Sequence, residues 1–496
     1  MKHIYDYRPE IVAFYSGAAV MIFELLGSRV VGPYIGNSLF VWTSLIAIIL
    51  GALSLGYYYG GKVSDRKADL ESISFILLLS SMSIFLLIMS KDFFLILVSS
   101  LVSDIRFSSS ILALILFAPT SFLLGMLSPI VTKMRLIDMQ TSGGVVGKIG
   151  SIGTVGSIIG TLAAGFILIP LLGVSTLLVL LSLSLVLLSI LCNHKKLLLL
   201  QGIITSSLIL LLVNSYIQAN MLEGNNVYIY DSPYSHIQVS ERVEKLNGRT
   251  VRDLYIDNVT HAGMYSDSNE LVYEYTKHYH LFDVFLPEAK NMLMLGGAAY
   301  SFPKSFLETY DDKTLDVVEI DSDLTEIARK YFRLKDNPNL SIYHQDARVF
   351  LNNTDKTYDA ILGDAFGSYF SIPYQLTTKE VVQRKYDLLS ENGIVILNLV
   401  SSMQGNKAKF LQAEYKTYSE IFPEVFIIPV RTQNTHESQN IMLVAAKNKD
   451  TLNMLTDNNE YQQYLSNIQK IELLDETATL TDDYAPVDSL ISELNK

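Results

Sequence analysis

Three carboxylates and a pair of glycines carry the chemistry available to this sequence, and each stands at the end of an apolar run. Asn291 to Leu295 passes directly into Gly296-Gly297-Ala298-Ala299. Leu315 to Ile320 reaches Glu319 and Asp321, Ser341 to Tyr343 is followed by Asp346-Ala347, and Tyr358 to Leu362 runs into Asp364. Glycines allow a tight turn and a close approach of backbone to ligand. A carboxylate about twenty residues after such a turn can accept both hydroxyl hydrogens of a ribose. Asp346, one strand later, can hold an adenine amino group. This order suits a nucleoside. NAD fits the spacing, but the G-x-G-x-x-G fingerprint is incomplete. An S-adenosyl compound has no pyrophosphate to bind and tolerates the looser first loop.

The elements that must position these groups alternate. Helical patterns at Glu270 to Tyr279, Ser301 to Tyr310, Leu324 to Tyr331 and Thr378 to Leu389 separate the apolar strands, and Ile394 to Leu399 is a further strand after Gly393. Alternation of this kind predicts a mostly parallel sheet covered on both faces, with ligands outside the carboxyl ends of its strands. Residues 226–265 read differently. They alternate in strand fashion, with turns at Asn247-Gly248 and Asp257-Asn258, and predict a small antiparallel sheet that packs on the next domain.

Before residue 219 the chain changes character. The 496 residues carry a net charge of −12, and mean hydropathy is +0.28, with the apolar excess concentrated between Ile11 and Ile217. About 20 apolar residues cross a bilayer as a helix. Spans are expected at 10–32, 40–61, 72–90, 108–131, 148–172, 174–192 and 198–216, with 93–103 as an eighth, short or re-entrant piece. The first run is long and others follow it, so it does not read as a cleaved signal. Lys62, Arg66 and Lys67 in a short loop point to the cytoplasm. Eight spans then put the C-terminal domain in the cytoplasm and seven put it outside. Lys133, Arg135, Lys195 and Lys196 fit seven, while nucleoside chemistry fits eight, which is the reading adopted. Glu24 and Arg29 in the first span read as an interhelical contact or a binding site within the bundle. The glycines from Gly144 to Gly165 read as a helix-crossing stripe. The acidic balance argues against a nucleic-acid partner, and the lone Cys192 gives neither a disulfide nor a metal set. No metal is expected.

The segment Tyr230-Asp231-Ser232-Pro233-Tyr234-Ser235-His236-Ile237-Gln238-Val239 resembles the start of a spermidine synthase. Leu254-Tyr255-Ile256-Asp257, Gly296-Gly297, Val318-Glu319-Ile320-Asp321, Asp346-Ala347 and Tyr358-Asp359-Ala360-Ile361-Leu362-Gly363-Asp364 extend the resemblance over roughly 226–445. Phe23-Glu24, Gly36-Asn37-Ser38 and Leu168-Ile169-Pro170-Leu171-Leu172-Gly173 resemble the N-terminal part of membrane-fused spermidine-synthase-like proteins. The resemblance implies a multi-pass α-helical membrane domain (1–218), a small antiparallel β domain (219–266), a Rossmann-like α/β methyltransferase-type domain (267–450) and a C-terminal extension (451–496). It implies a bacterial-type inner or plasma membrane, polyamine biosynthesis as the setting, and association through the catalytic domain as a homodimer.

For chemistry, the resemblance implies transfer of an aminopropyl group from decarboxylated S-adenosylmethionine to an amine. Asp364 would orient or deprotonate the amine. Gly296, Gly297, Glu319, Asp346, Ala347 and Gln238 would hold the donor, and Tyr234, His236 and His261 would line the acceptor pocket. The sequence also departs from the family. The usual Gly-Gly-Gly-Asp-Gly-Gly loop is Gly296-Gly297-Ala298-Ala299-Tyr300-Ser301, with Ala299 at the acidic position. The second acid of the D-x-x-D-P gate is Gly367, two pocket glutamines match His236 and His261, and a Y-H-E motif reads Tyr273-Glu274-Tyr275. Fewer acids leave room for a less cationic, larger or membrane-associated acceptor. Methyl transfer from S-adenosylmethionine is the alternative, and a transporter or sensor with a nucleoside-binding domain is a third.

Overall fold

A computed structural model of the chain describes residues 6–102, 104–136, 138, 140, 142–192, 200–211, 213, 227–245, 247–365, 372–431, 436–451, 460–474 and 476–492. Contacts divide the chain into two compact units: Met1–Asn225 with Ile229–His236, and Asn226–Tyr228 with Ile237–Lys496.

The first unit is helical. Its elements are α1 (Arg8–Ile35), α2 (Leu39–Arg66), α3 (Leu70–Leu101), α4 (Ile105–Leu116), α5 (Ala118–Arg135), α6 (Ser142–Ala163, continuing through a π-turn to Leu172), α7 (Val174–Cys192) and α8 (Leu200–Leu211). Among the described residues five helices are long and apolar enough to cross a membrane, or six if the bent pair α4–α5 counts as one span. Two local features, and the extent of the described residues, separate this count from the expected seven or eight. Residues 93–103 are not a separate piece: nothing between 90 and 93 breaks a helix, so α3 runs through both segments for 32 residues. The 108–131 span bends by 53° at Phe117, where Pro119 has no N–H for the preceding turn. Of the last segment, Leu200–Leu211 is an apolar helix, and 198–199, 212 and 214–216 lie outside the described residues.

Glycines set the helix crossings, but only some of them. A Cβ on Gly160 would lie 2.6 Å from the Ala18 carbonyl, and one on Gly156 would collide with the Phe14 carbonyl, so α1 and α6 touch backbone to backbone. Gly60 and Gly125 close α2 on α5 in the same way, 2.6 Å from the Met126 oxygen and 2.7 Å from the Leu53 oxygen. Gly143, Gly144, Gly147, Gly150 and Gly165 face open space instead. Hydroxyls pair between helices where charges would be costly: Ser81 with Ser182 at 2.8 Å and Ser74 with Ser189 at 2.9 Å.

After β1 (Tyr228–Asp231) come β2 (His236–Val243), β3 (Thr250–Ile256) and β4 (Val259–Tyr265), which from Ile237 onward form antiparallel ladders in the second unit. The larger sheet contains β5 (Asn291–Leu295), β6 (Thr314–Glu319), β7 (Leu340–His344), β8 (Tyr358–Gly363), β9 (Leu389–Ser401), β10 (Glu424–Pro429) and β11 (Gln439–Ala446) in the order β10-β11-β9-β8-β5-β6-β7. The five strands from β9 to β7 are parallel, and β11 alone is reversed, antiparallel to both β9 and β10. The strand order reverses between β5 and β8, the switch point where an open α/β sheet leaves a crevice. Helices α9 (Ser301–Thr309), α10 (Ser322–Tyr331), α11 (Ala347–Asn353), α12 (Lys379–Leu388) and α13 (Lys409–Ser419) cover the sheet. The expected C-terminal extension packs into this core: Leu480, Val487 and Ile491 are buried, and the Lys379 N–H bonds the Leu480 carbonyl at 2.8 Å.

Candidate active site

The carboxyl ends of β5 and β8 lie side by side, and their closeness dictates the residue at 296. The Asp364 N–H bonds the Leu295 carbonyl at 2.8 Å, and the Gly296 N–H bonds the Val318 carbonyl at 2.9 Å. Gly296 has φ +96°, and a Cβ there would lie 2.6 Å from the Asp364 carbonyl oxygen. Only glycine meets both conditions.

Glu319, at the end of β6, is 6% exposed. Its Oε2 accepts the N–H groups of Gly297 (2.8 Å) and Ala298 (3.0 Å), and its Oε1 accepts that of Asp321 (3.0 Å). A carboxylate offers about four lone-pair sites. Three are engaged, so Glu319 fixes the glycine loop and keeps capacity for one ligand hydroxyl, where the sequence suggested two. The loop it holds is strained: Ala298 (φ 45°) and Tyr300 (φ 53°) both sit in the left-handed region. Ala299 is 0% exposed and packs among Ile237, Val239, Leu254 and Leu324. A carboxylate at this position would be buried in an apolar cluster. Asp346 is half-buried and caps α11, accepting the Val349 N–H at 3.0 Å, with Ala347 as the first helical residue.

Asp364 is half-buried and held from two sides. Asn398 Nδ2 donates to its Oδ1 at 3.1 Å, and the Tyr275 hydroxyl lies 3.4 Å from its Oδ2. That hydroxyl is also 3.3 Å from the His261 carbonyl, so one proton serves two acceptors. Behind Asn398, Asn440 Nδ2 donates to Asn398 Oδ1 at 3.0 Å. A polar string therefore crosses from β11 through β9 to β8. Tyr279 donates to the Gly363 carbonyl at 2.7 Å and anchors the strand end. Burial pushes the Asp364 carboxyl up to about 6, against the opposing pull of hydrogen bonds from Asn398, Tyr279 and Tyr275. This is the range a group handling protons near neutrality requires.

The other residues expected at the site are placed differently. His261 turns its Nδ1 to the Val259 carbonyl at 2.7 Å and reaches the Asp364 cluster through its backbone oxygen. Gln238 is half-buried on β2, opposite Tyr255. Tyr234 and His236 group with the helices. Tyr234 is 51% exposed, and His236 Nδ1 meets Asp231 Oδ1 at 2.5 Å. Asp231 in turn lies 3.3 Å from the Val174 N–H at the start of α7. Gly367, at the second acidic position of the gate, lies outside the described residues. Sequence reasoning missed Asn398. Its signal was one amide in the otherwise apolar run Ile394 to Leu399, at the carboxyl edge of the sheet.

These features define a Rossmann-like α/β domain with an acidic group poised at its switch point. Residues 271–455 match the family described as "Spermine/spermidine synthase domain". The polyamine aminopropyltransferase of Vibrio vulnificus is 29% identical over 172 residues, 34% of this chain and 56% of that protein. That of Streptococcus uberis is 32% identical over 166 residues, 32% of this chain and 57% of that protein. The probable polyamine aminopropyl transferase of Bifidobacterium longum is 24% identical over 300 residues, covering 54% of this chain and 63% of that protein. The chain thus spans a little over half the length of the first two relatives. Among solved structures, a probable spermidine synthase from Corynebacterium glutamicum aligns with TM-score 0.43 and 18% identity, over 52% of this chain and 97% of that one. The C-terminal unit is spermidine-synthase-like, and one chain joins it to an apolar helical unit.

Proposed function

We propose that the α/β unit transfers an aminopropyl group from decarboxylated S-adenosylmethionine to an amine, and that the helices α1–α7 hold it at a membrane with the catalytic unit on the cytoplasmic side. The observation that carries this reading is the Asp364 carboxyl, raised to about 6, against the glycine turn at the sheet's switch point. The donor's ribose is assigned to Glu319 and its adenine to Asp346 and Ala347, with Gly296 and Gly297 giving close approach. Gln238 from β2 is assigned to the donor side, and His261, Tyr234 and His236 to the acceptor side.

The amine nitrogen attacks the aminopropyl carbon bonded to the sulfonium. A C–N bond forms, the C–S bond breaks, and its electron pair neutralises the sulfur, leaving methylthioadenosine. The nitrogen must first give up a proton. A free alkylammonium of pKa about 10.4 exceeds the Asp364 carboxyl by roughly 4 units. Burying the ammonium lowers its pKa by up to about 3–5 units, so desolvation of the acceptor supplies most of the match and Asp364 orients the nitrogen and takes the proton. Tyr275 and Asn398 hold the carboxylate at that position.

The test is product analysis of purified full-length protein offered both donors with a panel of amines. Methylthioadenosine with an aminopropylated amine supports the proposal. S-adenosylhomocysteine as sole product replaces it with methyl transfer.

A further inference from the structure

We propose that the helical unit contains a binding site for a small organic cation, in a cavity bordered by α1, α2, α5 and α6, with Glu24 as the counter-charge. The site is independent of the transfer reaction proposed above.

The cavity has a volume of about 370 Å³ and carries hydroxyls from Ser16, Tyr57, Ser128, Thr154 and Ser157. It opens because the close contact of α1 with α6 at Gly156 and Gly160 is not sustained along α6: a Cβ on Gly150, which lines the cavity, would meet nothing within 4 Å. On α1 the lining residues are Ala13, Ser16, Gly17, Val20 and Met21. Steps of three and four keep to one face of a helix, and Glu24 is the next position on that face, one step beyond the last lining residue, Met21. Glu24 is half-buried in the interior of α1 and makes no hydrogen bond or ion pair with a described residue. Arg29, the nearest cation on the helix, donates instead to the Pro233 carbonyl.

A carboxylate in an apolar span is costly unless a positive charge or water meets it. The lining contributes neither lysine nor arginine; its polar side chains are hydroxyls, one of them on an aromatic ring, among apolar residues and glycines. An ammonium group satisfies both, donating to hydroxyls and neutralising the carboxylate. Size selects the ligand class. Liquid water takes about 30 Å³ per molecule, so the cavity is too large for a bare ion and fits an alkylamine of a few carbons. A second cavity of about 340 Å³ shares Tyr57 and Ser128 and runs on to Thr132 and Lys133, toward the end of α5.

The experiment uses full-length protein in lipid nanodiscs, carrying Asp364→Asn so that the bundle is read apart from turnover. Binding of radiolabelled butane-1,4-diamine and n-butylamine is measured by equilibrium dialysis, with butane-1,4-diol as a neutral competitor. The expected result is saturable amine binding that the diol does not displace, weakened at least tenfold by Glu24→Gln and, independently, by Gly150→Leu, which fills the cavity where the backbone leaves room. Retained melting temperature and elution volume establish that both variants fold. Absence of amine binding, equal competition by the diol, or unchanged affinity in both variants would overturn the proposal. Absence of product from the wild-type chain would break the transfer reading and leave this site standing.

Discussion

Two half-buried carboxylates separate the two units of this chain. Asp364 stands at the edge of a sheet, with an amide and a phenol aimed at it and a second amide behind the first. Glu24 stands within an apolar helix and has no described partner. The α/β unit is built from strands whose ends converge, so donors from β9 and the 274–277 helical turn reach one point. Helix faces diverge from each other, and their polar contacts are pairwise, serine with serine or Arg135 with Glu10. The lesson is that convergent strand ends surround Asp364 with donors before a ligand arrives, while the site proposed in the bundle leaves Glu24 to its ligand.

The comparison breaks most sharply at Asp364. Asp364→Asn keeps the shape and removes the proton acceptor, so turnover should fall by about 10²–10⁴-fold while donor binding persists, read by steady-state kinetics beside donor titration. Normal turnover would end the assignment. Next come the glycines. Gly296→Ala meets both a forbidden φ and the Asp364 carbonyl, at a cost of about 3 kcal/mol or more, seen as early hydrogen exchange in β5 and β8. Gly156→Ala should similarly loosen α1 and α6, whereas Gly150→Ala should change stability by less than about 1 kcal/mol. Equal effects at 156 and 150 would show that the crossing is not backbone to backbone.

Glu319→Ala should weaken the donor by roughly 1–3 kcal/mol, measured by calorimetry. If affinity is unchanged, Glu319 serves the loop alone. The Asp364 group also predicts two opposite pH trends. Its folded pKa lies above the ordinary 3.8, so its contribution to stability is full below 3.8 and is lost as pH rises through about 6. Turnover moves the other way, rising through about 6 as the carboxylate ionises. Asn398→Ala removes a bond that favours the ionised form and should move the acidic limb of the rate profile up by about one unit. A limb that stays in place would assign it to another group. The smallest effect is expected in the bundle, where Ser81→Ala removes one interhelical hydroxyl pair worth about 0.6 kcal/mol, visible as a small drop in melting temperature.

Much of this was legible in the residues. Strand runs ending in Glu319, Asp346 and Asp364 fixed the order of β6, β7 and β8 and their shared edge, because period and length mark buried strands locally. The positive φ at Gly248, Asp257 and Asn258 falls at the two turns read from Asn-Gly and Asp-Asn pairs. The helix count was less legible. Hydropathy sums over a window and cannot tell one 32-residue helix from two spans, or see the bend that Pro119 introduces.

By itself the sequence determined the apolar and the mixed halves, the α/β alternation and the carboxylates at strand ends, since each follows from nearest neighbours along the chain. Only the tertiary structure decided what those groups do for one another. It put Asn398 and Tyr275 on Asp364, spent most of Glu319 on the glycine loop, buried Ala299 in an apolar cluster, and opened space beside Gly150 but not beside Gly156. Those outcomes depend on residues far apart in the chain meeting at a distance of a few ångströms, and that distance is set by packing.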